Sequence, residues 1–505
     1  MELWAVKMLN SWGKLPAPGF LSGAVSDVGS YDQCLQQSND KQLVKPKYCL
    51  LDFVPPMVDT PDNLNIFHKI TLIDPKLNIS ANNVFRHIED NIAYLYYISW
   101  RVGIFAIDWH IVNRKIHCET QQTFSIDLLT GIQWFALSVL FAFILLNITS
   151  TLLDIYQNDW PLHIDWIITA FSMRHNLHKL MSTDTESQSL SCIHGIRVVT
   201  ITWVILGHCM LYSNYQAFDR TFDSRHIFTA IDLQPFLNTS YGVDTFFVIS
   251  GILTTYVTFS ITNGDRNGFS MLGYLMSRYL RLTPLLGLFI LFTFLLPLVS
   301  SGPYWHETVE PIIDRCTTNW WLNLIYLQNY INVDQICLLH TWYLSCDMQF
   351  HIISLLIIIA FYRSRSAGMS LNTAVMIGFG LTTAAIIYVR QFPPAVINTQ
   401  RSTLWLIMGC VSGYGRPVNT FLSWKAFVPL SRLTYSVYLT HVWWLWTFMG
   451  TLRERVDLSR YSMSMIFLSI WLGSYLLAFI FALIVEYPIL HIQKKISTKV
   501  IASGN

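Results

Sequence analysis

Apolar stretches of about 20 residues alternate with polar segments along most of this chain, from residue 131 to residue 486. The stretches are continuous rather than alternating residue by residue, which is typical of transmembrane helices and excludes a transmembrane β-barrel. The pattern predicts an all-α polytopic membrane protein with about nine transmembrane helices. The predicted spans are 131–153, 192–213, 241–260, 281–300, 343–362, 371–390, 403–415, 427–449 and 463–486.

Residues 1–130 lack such stretches and are polar, with Pro, Asn and Asp throughout. They contain Cys34, Cys49, Cys118 and the sequon that begins at Asn78, which together indicate an extracellular or lumenal compartment. Three cysteines leave the pairing open, and buried free thiols are the alternative. We therefore expect a small, disulfide-bearing domain on the outer side, ahead of the membrane part.

Counting spans from an outer N-terminus places most loops that are rich in Arg and Lys in the cytosol, together with the C-terminus. Loop 450–462 is an exception, because it is predicted outside yet holds three arginines. The sequon at Asn238 falls on the outer side, as do Cys316 and Cys337, a candidate disulfide. We expect an outer domain, a first helix with a cytosolic linker, a transmembrane domain and a cytosolic tail, at 1–130, 131–190, 191–490 and 491–505.

Two ionisable residues interrupt the second predicted span. Arg197 and His208 are eleven positions apart, so on an α-helix they share a face and are separated by about 16 Å along the axis. Such residues are costly in lipid and normally face the interior of a helix bundle, where they mark a site. A hydrogen bond that only joins helices is the alternative for His208.

Three further spans place polar residues at a depth similar to that of His208. An imidazole acts as general base on a hydroxyl, and a carboxylate orients the imidazole and stabilises its protonated form. We predict His208 as the base and Asp347 as its orienting carboxylate, with Asp244, His441 and Tyr438 lining the site. Each residue also has the alternative of joining helices through a buried hydrogen bond.

A second group of charged residues is predicted on the cytosolic side. Arg278 and Arg281 lie three residues apart, and Arg197 is expected at the same membrane face. Three guanidinium groups suit the phosphates of an anionic donor. The alternative is that they are ordinary cytosolic charges or lipid headgroup contacts.

Composition narrows the function classes. The chain has 505 residues, of which 52% are hydrophobic and 13% charged, and its net charge is +2. A charge this small does not suggest a nucleic-acid partner. No metal-ligand spacing, phosphate-binding loop or dinucleotide-binding fingerprint is evident, so we expect no bound metal and no bound cofactor.

Several motifs give the chain a resemblance to a known family. RVVTITWVILGH holds an arginine, ten residues and a histidine; SYGVDTFFVISGILTTY, SRYLRLTP, HTWYLSCDMQF, PLSRLTYSVYLTH and VEYP follow in order. On these segments the chain resembles the acyltransferase 3 family of integral membrane acyltransferases. VKMLNSWGKLPAPGFLSG, with Cys34 and Cys49, resembles the extracellular domain of its animal, nose-resistant-to-fluoxetine-like branch.

The resemblance implies acyl transfer from a cytosolic acyl-CoA-type donor to a hydroxyl acceptor, of unknown identity, at the outer side of a plasma membrane or endomembrane. It also implies membrane lipids as partners, Arg197 in donor binding and His208 in the chemistry. Compared with the family pattern, about two spans are missing between Ile387 and Ser412, and the N-terminal domain is expected to be truncated. The alternatives are a transporter of lipid or small hydrophobic molecules and a receptor-like protein without catalysis.

Overall fold

The computed structural model describes the backbone of four short strands in the N-terminal region and of most residues after 128. The described ranges are 47–50, 53–54, 110–111, 117–120, 129–156, 162–184, 190–212, 217–219, 239–390 and 416–503. The predicted span 403–415 and the predicted sites at Cys34, Asn78 and Asn238 lie outside these ranges. Those four predictions therefore remain predictions.

The described strands are short and form three pairs. They are β1 Lys47–Leu50, β2 Phe53–Val54, β3 His110–Ile111, β4 His117–Thr120, β5 Phe218–Asp219 and β6 Val456–Asp457. Strands β1 and β4 pair antiparallel, as do β2 and β3, whereas β5 and β6 pair parallel. The β1–β4 register places the Cα atoms of Cys49 and Cys118 opposite each other. A disulfide in this region stays a prediction.

Helices make up nearly all of the remaining described chain. They are α1 Gly131–Tyr156, α2 Leu162–Phe171, α3 Met173–Met181, α4 Cys192–Leu211, α5 Ser240–Thr262, α6 Met271–Thr293, α7 Leu296–Val299, α8 Trp305–Thr308, α9 Glu310–Leu324, α10 Trp342–Arg363, α11 Arg365–Arg390, α12 Arg416–Leu422, α13 Phe427–Arg432, α14 Thr434–Thr451, α15 Arg460–Phe481 and α16 Tyr487–Ser503. One π-helical turn, Ala482–Glu486, joins α15 to α16. The predicted helical class of the membrane part is therefore confirmed.

Seven of the described helical segments are long and apolar enough to cross a membrane. The predicted count of nine is not confirmed within the described ranges. The predicted span 427–449 is divided between α13 and α14. Helix α14 is not one of the seven, yet most of its residues are buried within the bundle. The seven segments are Gly131–Tyr156, Cys192–Leu211, Tyr241–Thr262, Met271–Thr293, Leu339–Arg363, Arg365–Val389 and Arg460–Lys495.

The fourth predicted span needs a correction. We predicted it at 281–300, but α6 begins at Met271 and ends at Thr293. Arg278, which we predicted in a cytosolic loop, therefore lies within the helix. The ion pair that Arg278 forms with Asp347 of α10 explains the difference. An unpaired arginine would be costly at this position, and hydropathy alone does not reveal its partner.

Helix α4 lies at the centre of the bundle. In its most apolar 18-residue window, 61% of residues are buried, compared with 17% in α1 and in α5. Two glycines allow neighbouring chain segments to approach it closely. A Cβ atom on Gly195 would lie 2.3 Å from the carbonyl oxygen of Leu422, and one on Gly207 would lie 1.9 Å from Thr239 Oγ1. The helix that carries Arg197 and His208 is thus held on several sides.

The segment between α6 and α10 is folded rather than extended. It contains α8, α9 and a 3₁₀ turn at Leu339–Thr341 that leads directly into α10. A disulfide joins Cys316 to Cys337, which confirms the predicted pair. Asn323 Nδ2 donates to Thr341 Oγ1 at 2.8 Å, and Gln328 Nε2 donates to the Thr341 carbonyl at 3.1 Å. These bonds fix the residues just before α10 against α9.

Candidate active site

Two histidines from neighbouring helices form the centre of the candidate site. His208 lies in the last turn of α4, and its Nδ1 is 2.6 Å from Nε2 of His441 on α14. His441 is fully buried, and its Nδ1 is 3.0 Å from the carbonyl oxygen of Val437. The two rings are nearly parallel, with centroids 4.9 Å apart. The sequence placed these residues at one depth, and the structure brings them into direct contact.

The hydrogen bonds determine where the protons of the pair lie. A carbonyl oxygen only accepts, so His441 Nδ1 donates to Val437 and a neutral His441 ring has a lone pair on Nε2. His208 Nδ1 must then donate to His441. A neutral His208 consequently has an unprotonated Nε2, to which no described group is hydrogen bonded. This is the protonation state that a general base requires.

The predicted pairing of Asp347 with His208 is not observed. Asp347 accepts from Arg278 through Nε, at 3.0 Å, and also through Nη2. Ser250 Oγ donates to the same carboxylate at 2.8 Å. We predicted Arg278 on the cytosolic side and Asp347 at a depth similar to that of His208, but this ion pair brings Arg278 and Asp347 to one depth. The orientation of His208 instead comes from His441.

The other predicted lining residues differ in their positions. Tyr438 lies close to the histidine pair: its hydroxyl donates to the backbone carbonyl of His340 at 2.6 Å, and its ring centroid is 6.2 Å from that of His441. Asp244 is partly buried in the second turn of α5. A role for Asp244 in lining the site stays a prediction.

Arg197 lies near the opposite end of α4 from His208. Its side chain is partly buried, and in the described ranges it has no hydrogen bond or ion pair with a carboxylate. Arg281 is a like-charged neighbour that repels it. Arg281 is exposed and also interacts electrostatically with Glu486, a buried residue of the π-helical turn. Arg197 and Arg281 thus form a positive region, whereas Arg278 is neutralised by Asp347.

One histidine that the sequence analysis passed over lies beside the site. His340 belongs to the 3₁₀ turn before α10, and its ring centroid is 5.9 Å from that of His441. The signal that the sequence offered was a histidine in HTWYL, immediately before an apolar span. In the described ranges, no group of three or more His, Cys, Asp or Glu side chains is arranged to hold a metal ion.

These helices and this histidine pair define a class, a polytopic membrane protein built around a buried imidazole site. Comparison of the sequence with known families gives that class a name. Residues 190–428 match the acyltransferase domain of the acyltransferase 3 family, and residues 1–98 match the N-terminal domain of nose resistant-to-fluoxetine proteins. The chain therefore carries an acyltransferase 3 domain and, ahead of it, an N-terminal domain of the nose-resistant-to-fluoxetine type. The predicted resemblance is confirmed. His441 lies beyond the matched acyltransferase range.

Two proteins of Caenorhabditis elegans are among the relatives. Nose resistant to fluoxetine protein 6 is 24% identical over 653 aligned positions, which cover 96% of this chain and 77% of that protein. Regulator of hypoxia-inducible factor 1 is 23% identical over 221 positions, which cover 42% of each chain. No solved structure matches this chain.

Proposed function

We propose that this chain is an integral membrane acyltransferase that transfers an acyl group from a cytosolic acyl-CoA-type donor to a hydroxyl acceptor at the outer side of the membrane. The matched acyltransferase domain supports acyl transfer in general. The single observation that supports the chemistry is the hydrogen bond between His208 and His441. This hydrogen bond engages Nδ1 of His208 and leaves Nε2 free to accept a proton.

The reaction follows from this arrangement. His208 Nε2 takes the proton of the acceptor hydroxyl as the hydroxyl oxygen attacks the carbonyl carbon of the thioester. The carbon–sulfur bond breaks, the new ester forms, and the proton passes from His208 to the departing thiolate. His441 accepts a hydrogen bond from the protonated His208 throughout, and the Val437 carbonyl keeps His441 in the required tautomer.

Donor binding is assigned to Arg197 and Arg281. Guanidinium groups bind phosphates through charge-assisted hydrogen bonds. Arg197 is on the same helix as His208, about 16 Å away along the axis. An acyl-CoA-type donor bound there extends its thioester-bearing arm along α4 to the histidine pair. Arg278, which we predicted as a third donor ligand, is given a structural role because Asp347 neutralises it.

The test is an acyl-transfer assay with the purified full chain in lipid nanodiscs. Radiolabelled acetyl-CoA is the donor probe, and octyl glucoside, a neutral amphiphile with several hydroxyls, is the acceptor probe. We expect labelled ester to form, and His208→Ala to lower its rate about 100-fold or more, which is the usual contribution of a general base.

His178→Ala is the matched control, because His178 is exposed on α3, outside the site. It should retain the full rate. A His208→Ala protein that transfers acetyl groups as fast as the wild-type protein would exclude His208 as the base.

One observation favours a second candidate, a non-catalytic carrier of lipid or small hydrophobic molecules. None of the residues in the most apolar 18-residue window of α11 is buried, so most of this helix presents apolar surface outside the bundle. A carrier would move a labelled lipid across proteoliposome membranes in the absence of acyl-CoA. It would also do so equally well with His208→Ala.

A further inference from the structure

His340 is a buried residue that has no role in the reaction proposed above. Its side chain is 2% exposed. The rings around it belong to Phe289, Trp446, Tyr438 and His441, with centroids 5.5 to 6.1 Å away. Tyr438 holds the His340 backbone through the carbonyl. The imidazole is therefore fixed in a mainly aromatic environment, next to the histidine pair.

Both ring nitrogens of His340 are buried, and neither has a hydrogen-bond partner in the described ranges. This is unusual, because buried polar atoms are nearly always paired and leaving them unpaired is unfavourable. A neutral imidazole has one N–H donor and one acceptor nitrogen, so His340 presents both kinds of atom. A hydroxyl group also donates and accepts one hydrogen bond each, and is a matching partner.

Three further side chains in this part of the described chain have the same feature. Asn323 Oδ1, Gln328 Oε1 and Ser345 Oγ are buried and also lack a described partner. The amide nitrogens of Asn323 and Gln328 bind Thr341, the residue after His340. None of these side chains is charged. Asn323 and Gln328 lie within the segment that the Cys316–Cys337 disulfide closes, so this segment presents unpaired, neutral polar atoms beside the residue that follows His340.

We propose that His340 is part of the acceptor subsite and binds a neutral hydroxyl-bearing acceptor beside His441. This assignment rests on the proposed acyl transfer. Uncharged donors and acceptors select a neutral acceptor over an anionic one, because a buried charge needs a charged or strongly donating partner. His340 binds and orients the acceptor, and the proton still goes to His208.

The test variant is His340→Phe, assayed with acetyl-CoA and octyl glucoside in nanodiscs. Phe removes both ring nitrogens but keeps an aromatic ring of similar shape. We expect the KM for octyl glucoside to rise about tenfold, the loss that one to two neutral hydrogen bonds produce. The KM for acetyl-CoA should stay unchanged, because donor binding is assigned to Arg197 and Arg281. The melting temperature should stay the same or rise, because two unpaired buried atoms are removed.

His306→Phe is the matched control. His306 lies in α8, in the same connection between α6 and α10 as His340, and it is partly exposed and paired with Glu310. Its substitution should leave both KM values unchanged. An unchanged KM for octyl glucoside in His340→Phe would overturn the inference. A lower melting temperature with unchanged kinetics would also overturn it, since His340 would then only bind a structural water.

A cryo-EM map of the wild-type protein with octyl glucoside provides a second measurement. We expect ligand density within hydrogen-bond distance of a His340 ring nitrogen, and water alone at that place would contradict the inference. Failure of the proposed function is distinguishable, because then the wild-type protein itself forms no labelled ester and releases no CoA.

Discussion

At the scale of single residues, the site depends on which groups neutralise each other. Arg278 and Asp347 form a mostly buried ion pair, with side chains 19% and 5% exposed. Ser250 bonds to both members of the pair. The sequence identified both charged residues as important but assigned them to different depths, Arg278 to the cytosolic side and Asp347 to the depth of His208. It could not show the pairing, because hydropathy places an isolated arginine in a loop, and only three-dimensional packing reveals its counter-ion.

The Arg278–Asp347 pair should matter for stability more than for chemistry. Asp347→Ala leaves a buried guanidinium without its partner, which typically costs about 3–5 kcal/mol. We expect a clear fall in the melting temperature of the detergent-solubilised protein. The double variant Arg278→Met/Asp347→Leu removes both charges and should recover much of that loss.

Asp334→Ala is the control for this comparison, because Asp334 is an exposed acidic residue of the segment before α10. It should leave the melting temperature unchanged. If Asp347→Ala is as stable as the wild-type protein, the ion pair does not hold these helices together.

At the scale of elements, α4 determines the geometry of the site because it carries both Arg197 and His208. The predicted second span, 192–213, agrees closely with Cys192–Leu211. Its apolar run is bounded by polar residues on both sides, so the hydropathy pattern was sufficient to predict where the helix begins and ends. The 3₁₀ turn that carries His340 could not be predicted in the same way. It lies in a segment without helical periodicity, and the disulfide and the amide network, rather than local propensity, fix its position.

A substitution at Gly207 tests whether the close contact with Thr239 positions α4. A Cβ atom there would lie 1.9 Å from Thr239 Oγ1 and 2.4 Å from Thr239 Cβ. Gly207→Ala should therefore push α4 away and destabilise the protein by about 1–3 kcal/mol. Because His208 is the next residue, we expect the transfer rate per folded molecule to fall as much as 100-fold. Melting temperature and the acetyl-transfer assay measure the two effects.

Gly251→Ala is the matched substitution. Gly251 lies within α5, and a Cβ atom added there would have no heavy atom within 4 Å. Alanine there should be neutral or stabilise the helix by about 0.5–1 kcal/mol. Equal activity of Gly207→Ala and Gly251→Ala would show that the contact with Thr239 does not position His208.

At the scale of the whole molecule, the sequence was sufficient to predict the class of protein but not the number of membrane-spanning helices. Continuous apolar runs identified α1, α4, α5, α10, α11 and α15 because each of them is apolar over about 20 residues. Helix α14 is different, since most of its residues are buried in the bundle and polar residues such as Thr440 and His441 lie among them. The apolar pattern predicted this helix as part of the span 427–449, and the motif PLSRLTYSVYLTH overlaps its first half. The orientation of the chain in the membrane remains a prediction.

The central claim is that His208 and His441 act as one catalytic unit, and a double-variant cycle tests it most directly. Acetyl transfer from acetyl-CoA is measured for the wild-type protein, His208→Ala, His441→Ala and the protein with both substitutions. Residues that act as a unit show strongly non-additive losses. We predict that each single substitution lowers the rate about 100-fold or more, and that the double variant is no slower than the slower single variant. A double variant whose loss equals the product of the two single losses, or a wild-type protein that transfers no acetyl group, would contradict the account.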